Sequence, residues 1–117
     1  MSQLECPHRP FKLNEVESWP ECLELLIEGE LDLAACEVLR DALERALGSD
    51  HLYVIVDLDR CESIDIVAVK LLVVAYMHHS SRGEEFLIFG ATGPVRRRIE
   101  GVHAFDERVL LPATGER

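Results

Sequence analysis

The stretch from Leu52 to Met77, LYVIVDLDRCESIDIVAVKLLVVAYM, constrains the fold of this chain more than any other. It opens with Tyr53-Val54-Ile55-Val56, a short continuous apolar run rich in β-branched residues. Successive strand residues point to opposite faces, so such a run predicts a strand covered on both sides of a parallel sheet. Asp57, Asp59, Arg60, Glu62 and Ser63 then break the run. They predict a loop at the strand's carboxyl end, where open α/β sheets place their binding sites. From Ile64 to Met77 the chain is apolar again for fourteen residues, interrupted only by Asp65 and Lys70. That length exceeds a typical strand and predicts a helix.

The segments on either side follow the same alternation. Phe11, Leu13 and Val16 suggest a first strand, Ser18-Trp19-Pro20-Glu21 a turn, and Leu23 to Glu28 a second strand returning in a hairpin. A helix is expected over Leu33–Leu47, with Asp32 as its N-cap and Gly48 as a left-handed residue past its end. Its apolar stripe is Ala35, Val38, Leu39, Ala42, Leu43, Ala46 and Leu47, opposite a charged face expected to be solvated. Past Met77, Gly83 closes the second helix, Glu85 to Gly90 forms a strand, and Ala91-Thr92-Gly93-Pro94 is a turn. A short helix follows over Val95 to Glu100, then Val109-Leu110-Leu111 as a last short strand. Strands alternating with helices imply crossover connections. The expected fold is therefore α/β, a mixed but mostly parallel sheet of four to five strands with the hairpin at one edge, two main helices and a short third one.

At 117 residues the chain is one domain, expected over residues 11–111, with an extended lead-in over 1–10 and a tail over 112–117. Twelve Lys and Arg against 22 Asp and Glu give a net charge of −10. That charge disfavours nucleic acid and anionic membrane surfaces as partners and favours a neutral or basic protein. No apolar run reaches the length of a membrane span, so membrane insertion is not expected. Cys6, Cys22, Cys36 and Cys61 are scattered, and the start MSQLECPHRP lacks a signal-peptide core. A reduced cytoplasmic setting without disulfides or a metal site follows. Asp32, Asp57 and Asp65 are expected to gather at strand-to-helix junctions, yet no nucleophile or Gly-rich phosphate loop accompanies them. The chain is read as non-enzymatic and without a cofactor. Arg96-Arg97-Arg98 are expected to point apart and be solvated, partly neutralised by Glu100.

Four short motifs in order carry a resemblance: Gly29-Glu30-Leu31-Asp32, Val56-Asp57-Leu58, Ile64-Asp65, and Gly93-Pro94-Val95-Arg96-Arg97. With these the sequence, from roughly Phe11 to Leu111, resembles the STAS domains of bacterial anti-sigma-factor antagonists. In that family the second-helix entry normally reads Asp-Ser-Ser/Thr-Gly, and the first serine is phosphorylated by a partner anti-sigma kinase. Here the matching residues are Asp65-Ile66-Val67-Ala68. Ile66 has no hydroxyl to accept phosphate, so no phosphorylation is expected there, and Ser63 is the nearest remaining hydroxyl.

The resemblance implies a transcription-regulating interaction module that binds an anti-sigma factor or kinase. The residues it would use are Asp32, Ser63, Asp65, Ile66, Val67, Lys70 and Thr92. For Ser63 and Thr92 the plainer role is to cap a helix. Ile66 and Val67 are either core filler or an apolar surface that phosphate cannot switch off. Two alternatives accompany this reading: a stand-alone subunit docked on the ATPase of a membrane transporter, and a nucleotide or small-ligand sensor. With Ala68, Leu71, Leu72 and Ala75 facing the sheet, Val67, Lys70, Val74 and Met77 lie nearer solvent, where a partner or a second copy in a homodimer would cover them.

Overall fold

The computed structural model describes residues 10–19 and 21–112. The elements are β1 (Lys12–Trp19), β2 (Cys22–Leu31), α1 (Cys36–Leu47), β3 (Tyr53–Ile64), α2 (Ile66–Ser81), β4 (Glu85–Phe89), α3 (Gly93–Glu100), a 3-10 turn over Glu107–Val109, and β5 (Leu110–Leu111). The five strands lie in the order β1-β2-β3-β4-β5. Among the described strands only the β1–β2 hairpin is antiparallel. The predicted mixed sheet with its hairpin edge, two main helices and short third helix is thus present. The predicted lead-in and tail lie mostly outside the described residues, as does Pro20 of the predicted turn.

Strand order decides where the helices go. Each parallel link, β2-α1-β3, β3-α2-β4 and β4-α3-β5, steps the same way across the sheet, and right-handed crossovers that all step one way lay their helices on one face. Packing agrees. Rows of residues in register on that face, Leu23-Val54-Phe86 and Leu25-Val56-Ile88, are buried with Leu39, Ala42, Leu72 and Ile99 of the helices in one core. Glu15 and Glu17 of β1 point the same way, pairing with Arg45 of α1 and with His51, the latter at 2.6 Å. The expected burial of Tyr53–Val56 on both faces is therefore corrected. Val54 and Val56 are fully buried, but Ile55 is half-buried and Tyr53 is 40% exposed, because no helix of the described chain crosses the second face.

The polar segment after Val56 is not a loop. β3 continues to Ile64 beside β2, whose own run extends to Leu31 and supplies the ladder. Two irregularities accommodate it: the register passes from Leu26↔Asp57 to Glu28↔Arg60, then from Gly29↔Cys61 to Glu30↔Ser63. These are extra residues on β3, the signature of bulges. Pairing with β4 stops at Asp57, so beyond that point β3 is covered on one edge only and Asp59, Arg60, Glu62 and Ser63 reach solvent.

Helix boundaries shift for local reasons. Asp32 caps a turn rather than the helix: its Oδ1 accepts from the Ala35 N–H at 3.0 Å, and α1 starts only at Cys36. Cys36 is buried where Val38, expected in the stripe, is 45% exposed. Gly48 keeps φ −83°, a right-handed end, against the left-handed one expected. Gly83 does adopt the left-handed conformation, at φ 76°. α3 begins two residues early, with Pro94 in its first turn, where a missing N–H costs nothing.

Candidate functional site

The start of α2 is built by β2, β3 and Asp65 together. Asp65 donates its backbone N–H to the Leu31 carbonyl at 2.9 Å, fixing the helix entry to the end of β2. Its backbone is extended, and its Oδ1 accepts from the Val67 N–H at 2.8 Å, satisfying one of the orphan donors of the first turn. Asp65 thus takes the capping role that the sequence assigned to Ser63. Ser63 lies in β3, in register with Glu30, and makes no cap. Thr92 occupies the N-cap position of α3 but its side chain makes no capping bond, so that expectation is corrected too.

Beyond the cap the helix divides sharply. Ala68 and Val69 are fully buried, while Ile66 and Val67 are each 38% exposed and Lys70 is exposed. Ile66 and Val67 are therefore surface rather than core filler. Farther along, Val74 and Met77 are 51% and 61% exposed, as the expected facing of α2 requires. Asp32 and Asp65 both flank the buried thiol of Cys36, which burial, then Asp65, then Asp32, push upward. Asp57 does not join them. It points to the opposite, helix-free face, in register with Leu26 and Phe89.

Two site residues escaped the sequence reading. Arg97 and Arg98 line, with Ile66, Pro94, Gly101 and Val102, an open depression of ≈ 470 Å³. Arg96 alone turns back, pairing with Glu100 at 2.7 Å. The signal was present in the spacing 94, 97, 98, 101, one face of a helix. The surface around Ile66 is therefore apolar at its centre, carboxylate on the side of Asp32 and Asp65, and guanidinium on the other.

The Cys61 thiol donates to the Ser63 carbonyl at 3.2 Å, and burial pushes it up to about 11, so it stays protonated and unreactive at neutral pH. Among the described residues no group of His, Cys, Asp and Glu is arranged to hold a metal ion. Among them, too, no helix is long and apolar enough to cross a membrane.

Asp57 supplies a pH prediction. Burial raises its carboxyl above the ordinary 3.8, with further upward pressure from Asp59 and Glu24, although the Asp59 N–H bond at 2.9 Å and Arg60 pull it down. A carboxyl raised by folding favours the folded state while protonated and loses that contribution as pH rises through its folded value. Asp57→Asn keeps an oxygen for the Asp59 N–H and is expected to be more stable than the parent at neutral pH. The gap, well under about 1 kcal/mol for a half-exposed, water-screened group, should close as urea midpoints are followed down through the carboxylate range. A gap constant with pH would show that the ionised form costs nothing.

A mixed sheet of five strands with all its helices on one face, and a capped, partly apolar helix start beside the end of β2, places this protein in a defined α/β class. The profile described as Mlab, STAS domain, matches residues 15–111, and the chain belongs to the STAS domain family. No curated protein matches it in sequence. Solved structures do match in fold. The anti-sigma factor antagonist SpoIIAA in its unphosphorylated form is 19% identical with a TM-score of 0.75, covering 91% of this chain and 90% of that one. An anti-sigma factor antagonist from Mycobacterium paratuberculosis is 21% identical at a TM-score of 0.75, over 90% and 88%. The murine Slc26a9 anion transporter is 15% identical at a TM-score of 0.67, over 83% of this chain and 17% of the transporter.

Proposed function

We propose that this chain is a non-enzymatic, cytoplasmic interaction module of the anti-sigma-factor-antagonist kind, which binds an anti-sigma factor or kinase through the start of α2 and is not controlled by phosphate there. The observation that carries the reading is the exposure of Ile66 and Val67 immediately after the Asp65 cap. In this reading Ile66 stands where the family's phosphoacceptor would be, and an apolar side chain there leaves the surface permanently in its unphosphorylated character. Asp32 and Asp65 on one side and Lys70, Arg97 and Arg98 on the other give the patch a polarity that fixes a partner's orientation. Ser63 and Thr92 are the peripheral members of the same surface.

The test uses the anti-sigma factor encoded nearest the gene. Ile66→Asp is expected to weaken its binding about tenfold or more in calorimetry, a central apolar contact being replaced by a desolvated charge. Incubation with the kinase and ATP is expected to add no phosphate to the parent and one to Ile66→Ser. Unchanged affinity in Ile66→Asp would place the interface elsewhere, and phosphate mapped to Ser63 or Thr92 would restore a switch.

A second reading draws on the likeness to part of an anion transporter chain. In it the chain is a separate STAS subunit docked on a transporter's ATPase through the same surface. Co-purification with an ATPase, lost in Asp65→Lys, would favour it over the first.

A further inference from the structure

The second face of the sheet presents a mismatch between sequence and architecture. Parallel strands with continuous apolar runs are covered on both faces in α/β proteins, and Tyr53–Val56 and Phe86–Phe89 are such runs. The three helices nevertheless all lie on one side. What the other side presents is read directly from the register. One row across it is Val16, Glu24, Ile55 and Leu87, and the next is Asn14, Leu26, Asp57, Phe89 and Leu111. Leu26, Ile55, Leu87 and Phe89 are half-buried by their neighbours alone.

Acidic groups are set among these apolar ones in a regular way. Glu24 lies beside Ile55, and Asp57 lies between Leu26 and Phe89. Glu85 opens β4 beside Tyr53, and Glu28 lies in register between Lys12 and Arg60, the two cations of this face among the described residues. Leu26, Glu28, Asp57, Asp59 and Arg60 also line an open depression of ≈ 370 Å³ at the first bulge, with three carboxylates to one guanidinium. Burial acts on the Asp57 carboxyl even without a cover. A cover without cations would bury Glu24, bonded by the Ser18 hydroxyl, and Asp57, beside Arg60, without a full counter-charge for either, which disfavours it. A cover that carries them would pair each one.

We propose that this face docks a basic amphipathic helix from a partner protein, its leucine-like ridge on Leu26, Ile55, Leu87 and Phe89 and its Lys or Arg residues on Glu24 and Asp57, with Glu28 at the margin adding to the acidic field. The helix supplies the second layer that the apolar strands call for and completes a three-layer α/β arrangement. The net charge of −10 favours the same sign of partner over a second copy of this chain. The surface lies on the side of the sheet away from the helices, so the proposal goes beyond the interface at Ile66 and gives the module two partners at once.

The probe is a synthetic Leu/Lys amphipathic peptide of about 18 residues, ~27 Å as a helix, enough to cross the roughly 20 Å from β1 to β5. It is titrated into the full, isotope-labelled chain. Amide shifts are expected over Glu24–Glu28, Tyr53–Asp57 and Glu85–Phe89. Affinity should fall about tenfold in Leu87→Lys and in Glu28→Lys, fall with salt, and stay unchanged in Ile66→Asp, while a Leu/Glu peptide of the same pattern should not bind. Glu28→Lys, at the rim, carries the test if Leu87→Lys does not fold. Shifts confined to α1 and α2, equal binding of the acidic peptide, or no binding would overturn the proposal. So would a doubled mass by light scattering that Leu87→Lys abolishes, which makes the occupant a second copy, or binding that appears only after deletion of residues 1–9.

Discussion

Gly90→Ala is expected to destabilise the domain by about 2–5 kcal/mol, lowering Tm by more than about 10 °C. Two independent costs meet at this residue. Gly90 has φ +81°, where an L side chain is strained by roughly 1–2 kcal/mol. A Cβ there would also stand 2.9 Å from the Asp59 Cα and Cβ. That neighbour is backbone at the first β3 bulge, not the end of a flexible chain, so it cannot rotate aside. Forcing it adds roughly 1–3 kcal/mol of overpacking. Gly83 provides the control, since it has a similar φ of +76° and nothing within 4 Å of the same added atom. Gly83→Ala should therefore lose only the conformational part, about 1–2 kcal/mol. Urea unfolding of both variants separates the costs. Equal losses would mean that the close approach to Asp59 exerts no force.

The same contact explains why β3 was hard to read. Asp57 to Ser63 has loop composition, and composition correctly reports that these residues are wet. What it does not report is that β2 runs on to Leu31 and offers them a ladder, with bulges absorbing the mismatch. The information lies in the partner strand and in Gly90, about thirty residues later. Helix periodicity was more legible, because one face of α1 must meet the sheet whatever the topology. Its errors fall where two candidates compete for one turn: Asp32 caps the turn at Leu33–Ala35 first, which delays α1 and buries Cys36 instead of Val38.

The site was legible in its residues and less so in its surroundings. Asp65, Ile66 and Val67 could be placed at the start of a helix because the apolar run from Ile64 is too long for a strand and the family resemblance sets the entry at Ile64-Asp65, although the cap was expected of Ser63. Whether Ile66 was buried depended on what α3 put beside it. α3 brings Pro94, Arg97 and Arg98 to the edge of an open depression rather than a lid over the side chain. Asp57 misled for a different reason. Strand-to-helix junctions share one end of a sheet, but side chains one residue apart on a strand share no face, and a single residue of register sends Asp57 to the opposite side from Asp32 and Asp65.

The other large effect is expected at the turn between α2 and β4. His79 is fully buried, its Nδ1 lies 2.7 Å from the Glu84 Oε1, and its ring stacks on Phe86 at 5.7 Å. The Nδ1–H therefore donates to the carboxylate, and Nε2 has no partner among the described residues. Glu84 is further held by Arg82 at 3.3 Å, and Arg82 also donates to the Leu47 carbonyl at the end of α1 at 2.8 Å. Glu84→Ala removes the acceptor of the buried Nδ1–H and should cost about 2–4 kcal/mol. His79→Leu removes the orphaned nitrogen with it, keeps apolar contact with Phe86, and leaves Glu84 its Arg82 pair, so it should cost about 1 kcal/mol or less. In the double variant the introduced leucine has no need of a carboxylate, and most of the loss seen in Glu84→Ala should be recovered. A double-mutant cycle by chemical denaturation is expected to show a coupling of about 1–3 kcal/mol. Strictly additive losses would mean that the imidazole and carboxylate stabilise the turn separately, and that the buried histidine contributes by its shape alone.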